Sequence, residues 1–186
     1  MVTPFRILTV CTGNICRSPF AEALLRDRLT PHLPGLAVSS AGTHAVAGHP
    51  MQEVAASELA RLACDPGDFR SRQLTDSMID AADLILTMTR GQRTWVLERH
   101  PRALRRSFTV REFAALLSFA GPLHRDPPAA VAAAAAARAR LAGRPGDSLD
   151  VADPYGSTAS AYRAMADDLS QAVQEIVGRL PRVPVA

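Results

Sequence analysis

The alternation that begins at the N-terminus restricts the fold most: an apolar, β-prone run from Phe5 to Val10, a turn-rich loop, then a helix start at Ser18-Pro19-Phe20-Ala21-Glu22. Ser18 suits an N-cap and Pro19 a first helical residue, because proline lacks an amide hydrogen that would be unpaired there anyway. This helix is expected to run to about Leu29. Leu36 to Ser40 reads as a second strand, Met51 to Cys64 as a second helix, and Ala82 to Met88 as a short, almost continuously apolar strand. A helix over Gly91 to Arg99, a fourth strand over Ser107 to Val110 and a closing amphipathic helix over Ser160 to Leu180 follow. Strands alternating with helices predict an α/β fold whose parallel sheet is covered on both faces.

The segment from Gly121 to Gly146 differs, carrying Pro127, Pro128, Pro145 and the alanine-rich stretch Ala129 to Ala137. Alanine has the best helix propensity, so a surface helix with little large apolar area is expected, as an insertion at about 121–146. With 186 residues, the chain is expected to form a single domain over 1–186, with a core that needs no disulfide or metal. No apolar run approaches the roughly 20 residues that span a bilayer, so no membrane partner is expected. No classical signal peptide is read at the N-terminus. Three cysteines, Cys11, Cys16 and Cys64, are too few and oddly numbered for a disulfide framework, which points to a reducing cytoplasm. Export by a non-classical route is compatible with the same features. All 21 basic residues are arginine, and they read as scattered among acids without interleaved aromatics, so no nucleic-acid partner is expected. A net charge of +3 would help attract an acidic, phosphorylated substrate.

The chemistry is concentrated in Val10-Cys11-Thr12-Gly13-Asn14-Ile15-Cys16-Arg17-Ser18-Pro19, where a strand ends and a helix begins. Amides of the loop and first helical turn, reinforced by the helix dipole, can hold an oxyanion, so Thr12, Gly13, Asn14, Ile15, Cys16 and Arg17 form a candidate phosphate cradle. Gly13 and Asn14 tolerate the left-handed backbone such a cradle needs. Arg17 supplies a planar, two-pronged donor for phosphate oxygens. Cys11 would sit at the base, where dipole, amides and guanidinium favour thiolate over thiol and make it a nucleophile. Ser18 can donate a hydrogen bond to its sulfur. A Cys with Arg six residues later is a weak pattern alone, and a cysteine on a strand is usually an inert core residue. The strand-to-helix setting, the Gly-Asn pair and the Ser-Pro helix start together reverse that reading.

Asp153-Pro154-Tyr155 lies in a loop just before the last helix. Alone it is a common turn. Beside the Cys11 loop, Asp153 becomes a candidate general acid for a departing tyrosyl oxygen and then the base for water.

With these elements named, the sequence resembles the low-molecular-weight protein tyrosine phosphatase family. The similarity spans most of the chain: Cys11 to Pro19, Ser40-Ala41-Gly42-Thr43, Arg72-Gln73-Leu74, Ala82 to Met88 and Asp153-Pro154-Tyr155, in that order. It implies a three-layer sandwich with a four-stranded parallel sheet flanked by helices, no metal and no cofactor. It also implies a phospho-cysteine intermediate on Cys11, with Arg17 as phosphate clamp and Asp153 as general acid. The substrate would be a tyrosine-phosphorylated protein, with a cognate tyrosine kinase as a potential partner. The family register places Thr12, Val46 and Tyr155 in the substrate pocket, Val46 where many members have an aromatic residue. Asn14 and Ser40 would support the loop. Where many members have a His three residues before the Arg-Gln pair, this chain has Phe69, so the network to Ser40 and Asn14 is expected to be altered. In the family a second loop cysteine, matching Cys16, pairs with the nucleophile on oxidation.

Three rival readings share parts of this pattern. Arsenate reductases with a similar loop finish on two downstream cysteines, and none lies between Gln73 and His100. In the protein-arginine phosphatase branch a Thr is similar in position to Ile15, so Ile15 and Tyr155 favour phosphotyrosine. A phosphotyrosine-binding relic is disfavoured because Cys11, Arg17, Ser18 and Asp153 are intact. His32, His44, His49, His100 and His124 show no metal-ligand spacing, and His44 and His49 are candidates for the pocket rim.

Overall fold

Period-two burial in the strands divides the core into two layers. In β1 (Arg6–Cys11), Ile7 and Cys11 face one apolar cluster while Leu8 and Val10 face the other. In β3 (Leu84–Thr87), Leu84 and Leu86 join the first cluster and Ile85 the second. With β2 (Ala37–Gly42) and β4 (Ser107–Thr109) they form a parallel sheet of order β2-β1-β3-β4. The computed structural model describes residues 4–120, 126–141 and 149–180.

The first layer is built on α1 (Arg17–Leu29), whose residues from Arg17 to Leu25 are all buried. A helix enclosed on every side can bring polar groups at its first turn into the interior. Around it stand α2 (Glu53–Arg61), α5 (Val110–Phe119), α6 (Pro127–Ala136) and α7 (Ala159–Arg179), which share one apolar cluster. On the other face α3 (Asp76–Ala81) and α4 (Arg90–Arg99) contribute Ile79 and Val96. The result is the expected three-layer α/β sandwich.

The chain steps from β1 to β2 on one side, then crosses to β3 on the other, so the winding reverses at β1. In open parallel sheets the crevice at such a reversal, outside the carboxyl ends of the strands, is where ligands bind. Cys11 is the last residue of β1 and pairs with Gly42.

Several sequence expectations need correction. Ser18 is not the N-cap: Cys16 holds that position and helical geometry begins at Arg17, because the Ser18 hydroxyl is drawn into a buried network described below. Asn14 has φ +54°, whereas Gly13 stays outside the left-handed region, so the asparagine alone makes the sharp turn. Helices α3 and α5 were not anticipated, and the fourth strand ends at Thr109. The signal for α5 was present as Thr109-x-x-Glu112 before an apolar run: each side chain accepts the other's backbone N–H at 3.1 Å. The alanine-rich helix forms, capped by Asp126. It is less superficial than expected, with Ala130, Val131 and Ala134 buried, since small side chains let α6 lie close against the core. The remainder of the expected insertion, 121–125 and 142–146, lies outside the described residues.

Gly42 closes β2 directly beside the loop. A Cβ there would lie 2.5 Å from the Thr12 carbonyl oxygen and 3.0 Å from the Ala45 Cα and Cβ. Gly42→Ala must therefore displace backbone, and urea unfolding should show a loss of about 1–3 kcal/mol. An unchanged midpoint and slope would contradict this close approach.

Candidate active site

The backbone of residues 11–16 is ordered by what its carbonyls do. Those of Cys11, Thr12 and Gly13 accept the N–H groups of Thr43, His44 and Val46 at 2.9–3.0 Å, and that of Ile15 accepts Gln52 N–H at 2.8 Å. In a trans peptide the carbonyl and the following N–H point in opposite directions. With four carbonyls turned outward, the amides of Thr12, Gly13, Asn14 and Cys16 turn inward. Asn14 N–H donates to Cys11 Sγ at 3.2 Å. Those of Thr12, Gly13 and Cys16 have no acceptor among the described residues.

Behind the sulfur runs a chain of side-chain hydrogen bonds. Asn14 Nδ2 donates to Ser18 Oγ at 2.9 Å and to Ser40 Oγ at 2.8 Å, and Ser40 Oγ donates to Glu22 Oε2 at 2.6 Å. Since Ser18 Oγ receives an Asn14 hydrogen, its own proton is left for Cys11 Sγ, 3.0 Å away. Arg72 N–H donates to Asn14 Oδ1 at 2.8 Å and its Nε to the Ser40 carbonyl at 2.8 Å. The Asn14–Ser40 link is thus intact with Phe69 in the chain, but the network ends on the buried Glu22 carboxylate, also 3.2 Å from Arg26 Nη1. On the other side Gln92 accepts Met88 and Thr89 N–H at 3.0 Å and donates to Thr12 Oγ1 at 3.1 Å.

Arg17 is buried, and its fork is divided: Nη1 donates to the Val151 carbonyl at 3.2 Å, Nη2 to Asp153 Oδ2, and Nε has no partner among the described residues. Asp153 itself is exposed, and its Oδ1 accepts Tyr155 N–H at 3.2 Å. The loop is tied down by Val151 N–H, which donates to the Met88 carbonyl at 2.8 Å. Thus Cys11, Arg17 and Asp153 meet across 142 positions of sequence in one cavity of about 240 Å³.

Thr12, Gly13, Ile15, Cys16, Val46 and Tyr155 complete its walls together with His44. His49 does not line it. Cys16 is buried with Sγ 3.8 Å from the Tyr162 hydroxyl, and burial pushes its thiol up to about 11, so it is protonated at neutral pH. Cys64 is a buried residue of the first core layer. Sequence reasoning missed Glu22, Gln92 and Tyr162, whose partners lie far along the chain, and named Arg72 only within a motif, without its bonds to Asn14 and Ser40. No helix among the described residues is long and apolar enough to cross a membrane, and no cluster of three potential metal ligands occurs among them.

The profile of the low molecular weight phosphotyrosine protein phosphatase family matches residues 6–121. The chain belongs to this family. Among its relatives a protein-arginine-phosphatase of Geobacillus stearothermophilus is 33% identical over 177 residues, 95% of this chain and 97% of that protein. A probable low molecular weight protein-tyrosine-phosphatase, EpsP of Ralstonia solanacearum, is 46% identical over 95 residues, 51% of this chain and 63% of its own. The crystal structure of the Erwinia amylovora tyrosine phosphatase AmsI superposes with a TM-score of 0.72 at 27% identity, covering 98% of this chain and 95% of that one. The overall fold found here is thus shared with that phosphatase.

Glu22→Ala leaves the Ser40 proton without its buried acceptor and should cost about 1–3 kcal/mol in urea unfolding, while Glu22→Gln, which keeps an acceptor, should cost less. Equal losses for both variants would show that acceptance from Ser40 is not what Glu22 contributes.

Proposed function

We propose that the chain, acting as one domain, is a protein-tyrosine-phosphate phosphohydrolase. The observation that carries this reading is the inward-facing set of amides around a sulfur that receives hydrogen bonds from Asn14 N–H and Ser18 Oγ. Such donors stabilise a thiolate and suit the equatorial oxygens of a phosphoryl group in transfer. Thr12 to Arg17 form the cradle. Arriving phosphate takes the Arg17 fork, for which Nε, unpaired among the described residues, is suited, and releases Asp153 from its ion pair to take up a proton from water. Cys11 sulfur attacks phosphorus, the P–O bond to tyrosine breaks, and Asp153 gives the phenolate its proton. Water then attacks the phospho-cysteine, Asp153 takes the water proton, and phosphate leaves with Cys11 again a thiolate held by Ser18. Asn14 and Ser40 keep the loop in shape through the chain ending on Glu22.

Substrate choice rests on the walls. Ile15, Val46 and the ring of the exposed Tyr155 present apolar surface suited to a phenyl ring, and neither Ile15 nor Val46 offers an acceptor for the N–H groups of a phosphoguanidinium. The second reading, protein-arginine phosphatase, is favoured by the identity to the Geobacillus stearothermophilus protein over 95% of the chain. Unpaired thiols at Cys11, Cys16 and Cys64 suit a reducing cytoplasm, where a tyrosine kinase would supply the substrate.

Hydrolysis of p-nitrophenyl phosphate should fall by at least about a thousandfold in Cys11→Ser, with a smaller loss in Asp153→Ala because a good leaving group needs little protonation. A phosphotyrosine peptide should be turned over faster than a phosphoarginine peptide. Full activity in Cys11→Ser would remove the mechanism, and the reverse preference would establish the arginine reading.

Peroxide converts the Cys11 thiolate to a sulfenic acid, and attack by the Cys16 sulfur forms the Cys11–Cys16 disulfide with loss of water. Because Cys16 is held as a thiol, Cys11 is the residue oxidised first. Peroxide should abolish activity in both forms, and once exposure is long enough to carry an unprotected sulfenic acid on to sulfinic acid, dithiothreitol should restore activity in the native chain but not in Cys16→Ser. Equal recovery in both would contradict this protective role.

A further inference from the structure

A band of side chains leads out of the cavity along α4. His44 lines the cavity, and its ring meets that of Trp95 edge-on with centroids 6.4 Å apart. Over Trp95 lies the Arg99 guanidinium, its central carbon 3.7 Å from the ring centroid. These two distances place the Arg99 charge no more than about 10 Å from the His44 ring. Beyond it Arg102 shares a second hollow with Arg99 and Arg106. The even scatter of arginine expected from the sequence fails here. Residues 90–106 contain six arginines and a single acid, Glu98, while the whole chain carries only +3, so the rest of the molecule is net negative.

Of the other basic side chains in this stretch, Arg90 pairs with Asp150, Arg93 with Glu112, and His100 with Asp76 and Asp80, Arg106 donates to the Ile79 carbonyl at 3.1 Å, and the exposed Arg105 has no carboxylate partner among the described residues. Arg99 and Arg102 are exposed and have no carboxylate partner among the described residues. Stacking on Trp95 holds Arg99 in place, so it can meet an anion with less loss of side-chain freedom than an ordinary surface arginine.

We propose that this band, His44, Trp95, Arg99 and Arg102, is a docking strip for an acidic segment of the phosphoprotein substrate. It rests on the phosphatase reading above and names the substrate class. An extended chain advances about 3.3–3.6 Å per residue, so the Arg99 charge is reached by Asp or Glu roughly three or four positions from the phosphorylated residue. Carboxylates there gain from two unmatched cations, and the benefit weakens with salt.

The test compares kcat/KM for phosphotyrosine peptides with Glu at three and four positions before the phosphotyrosine, at three and four positions after it, or with Gln throughout. At low salt one acidic peptide should exceed the neutral one by about tenfold, with the advantage shrinking at high salt. Arg99→Glu/Arg102→Glu should abolish that advantage while p-nitrophenyl phosphate, too short to reach from the cavity to either arginine, is hydrolysed within about twofold of the native rate. Arg102→Glu alone, which leaves the Trp95 stack intact, should lower the advantage if the double variant fails to fold. Equal rates on acidic and neutral peptides by the native enzyme would overturn the strip and leave the phosphatase reading standing. No turnover of p-nitrophenyl phosphate would remove both.

Discussion

Everything at the candidate site depends on residues 11–16 being held with their carbonyls outward. Four of those carbonyls are taken by backbone N–H groups of the segment after β2, from Thr43 to Gln52, so this segment, rather than the loop's own sequence, fixes which way the peptide units face. Asn14 completes the constraint from the inside. Its left-handed backbone turns one amide onto Cys11 Sγ while its side chain is fastened by Ser18, Ser40 and Arg72. Strain of this kind persists only where surrounding bonds over-determine it, and here they come from three different parts of the chain.

The electrostatic arrangement follows from that geometry. Inward amides and a buried guanidinium direct positive charge at the cavity floor, where the Cys11 sulfur lies. Asp153 leans on Arg17 from the exposed side, and because this carboxylate is half in solvent the ion pair can be exchanged for a better one. A fully buried pair would be costly to break. The acid follows a stretch of loop tied to the frame at Leu149, Asp150 and Val151, whereas the cysteine and arginine are built into β1 and α1. Donors fixed in the frame beside a carboxylate in an exchangeable ion pair are what a double-displacement reaction asks for.

The parts legible in the sequence were those carried by local pattern. The apolar strands, the strand-loop-helix order around residues 11–17 and the closing helix read correctly because each is encoded within a few residues. Ser18 shows where local reading fails: its N-capping preference is real, yet Asn14 and Cys11 compete successfully for the hydroxyl. Glu22 was invisible because it reads as an ordinary helix glutamate until Ser40, eighteen residues on, is folded over it. Gln92 and Tyr162 were missed for the same reason, their contacts with Thr12 and Cys16 spanning 80 and 146 residues. The meeting of His44 with Trp95 likewise depends on how the loop after β2 lies across α4.

A crystal of the chain soaked in orthovanadate tests the central claim most directly. Vanadium should be bonded to Cys11 Sγ, with its equatorial oxygens on the amides between Thr12 and Arg17 and on the Arg17 guanidinium, and with Asp153 moved off that arginine toward the apical oxygen. Vanadate bound elsewhere, or a loop whose amides turn away from it, would contradict the account.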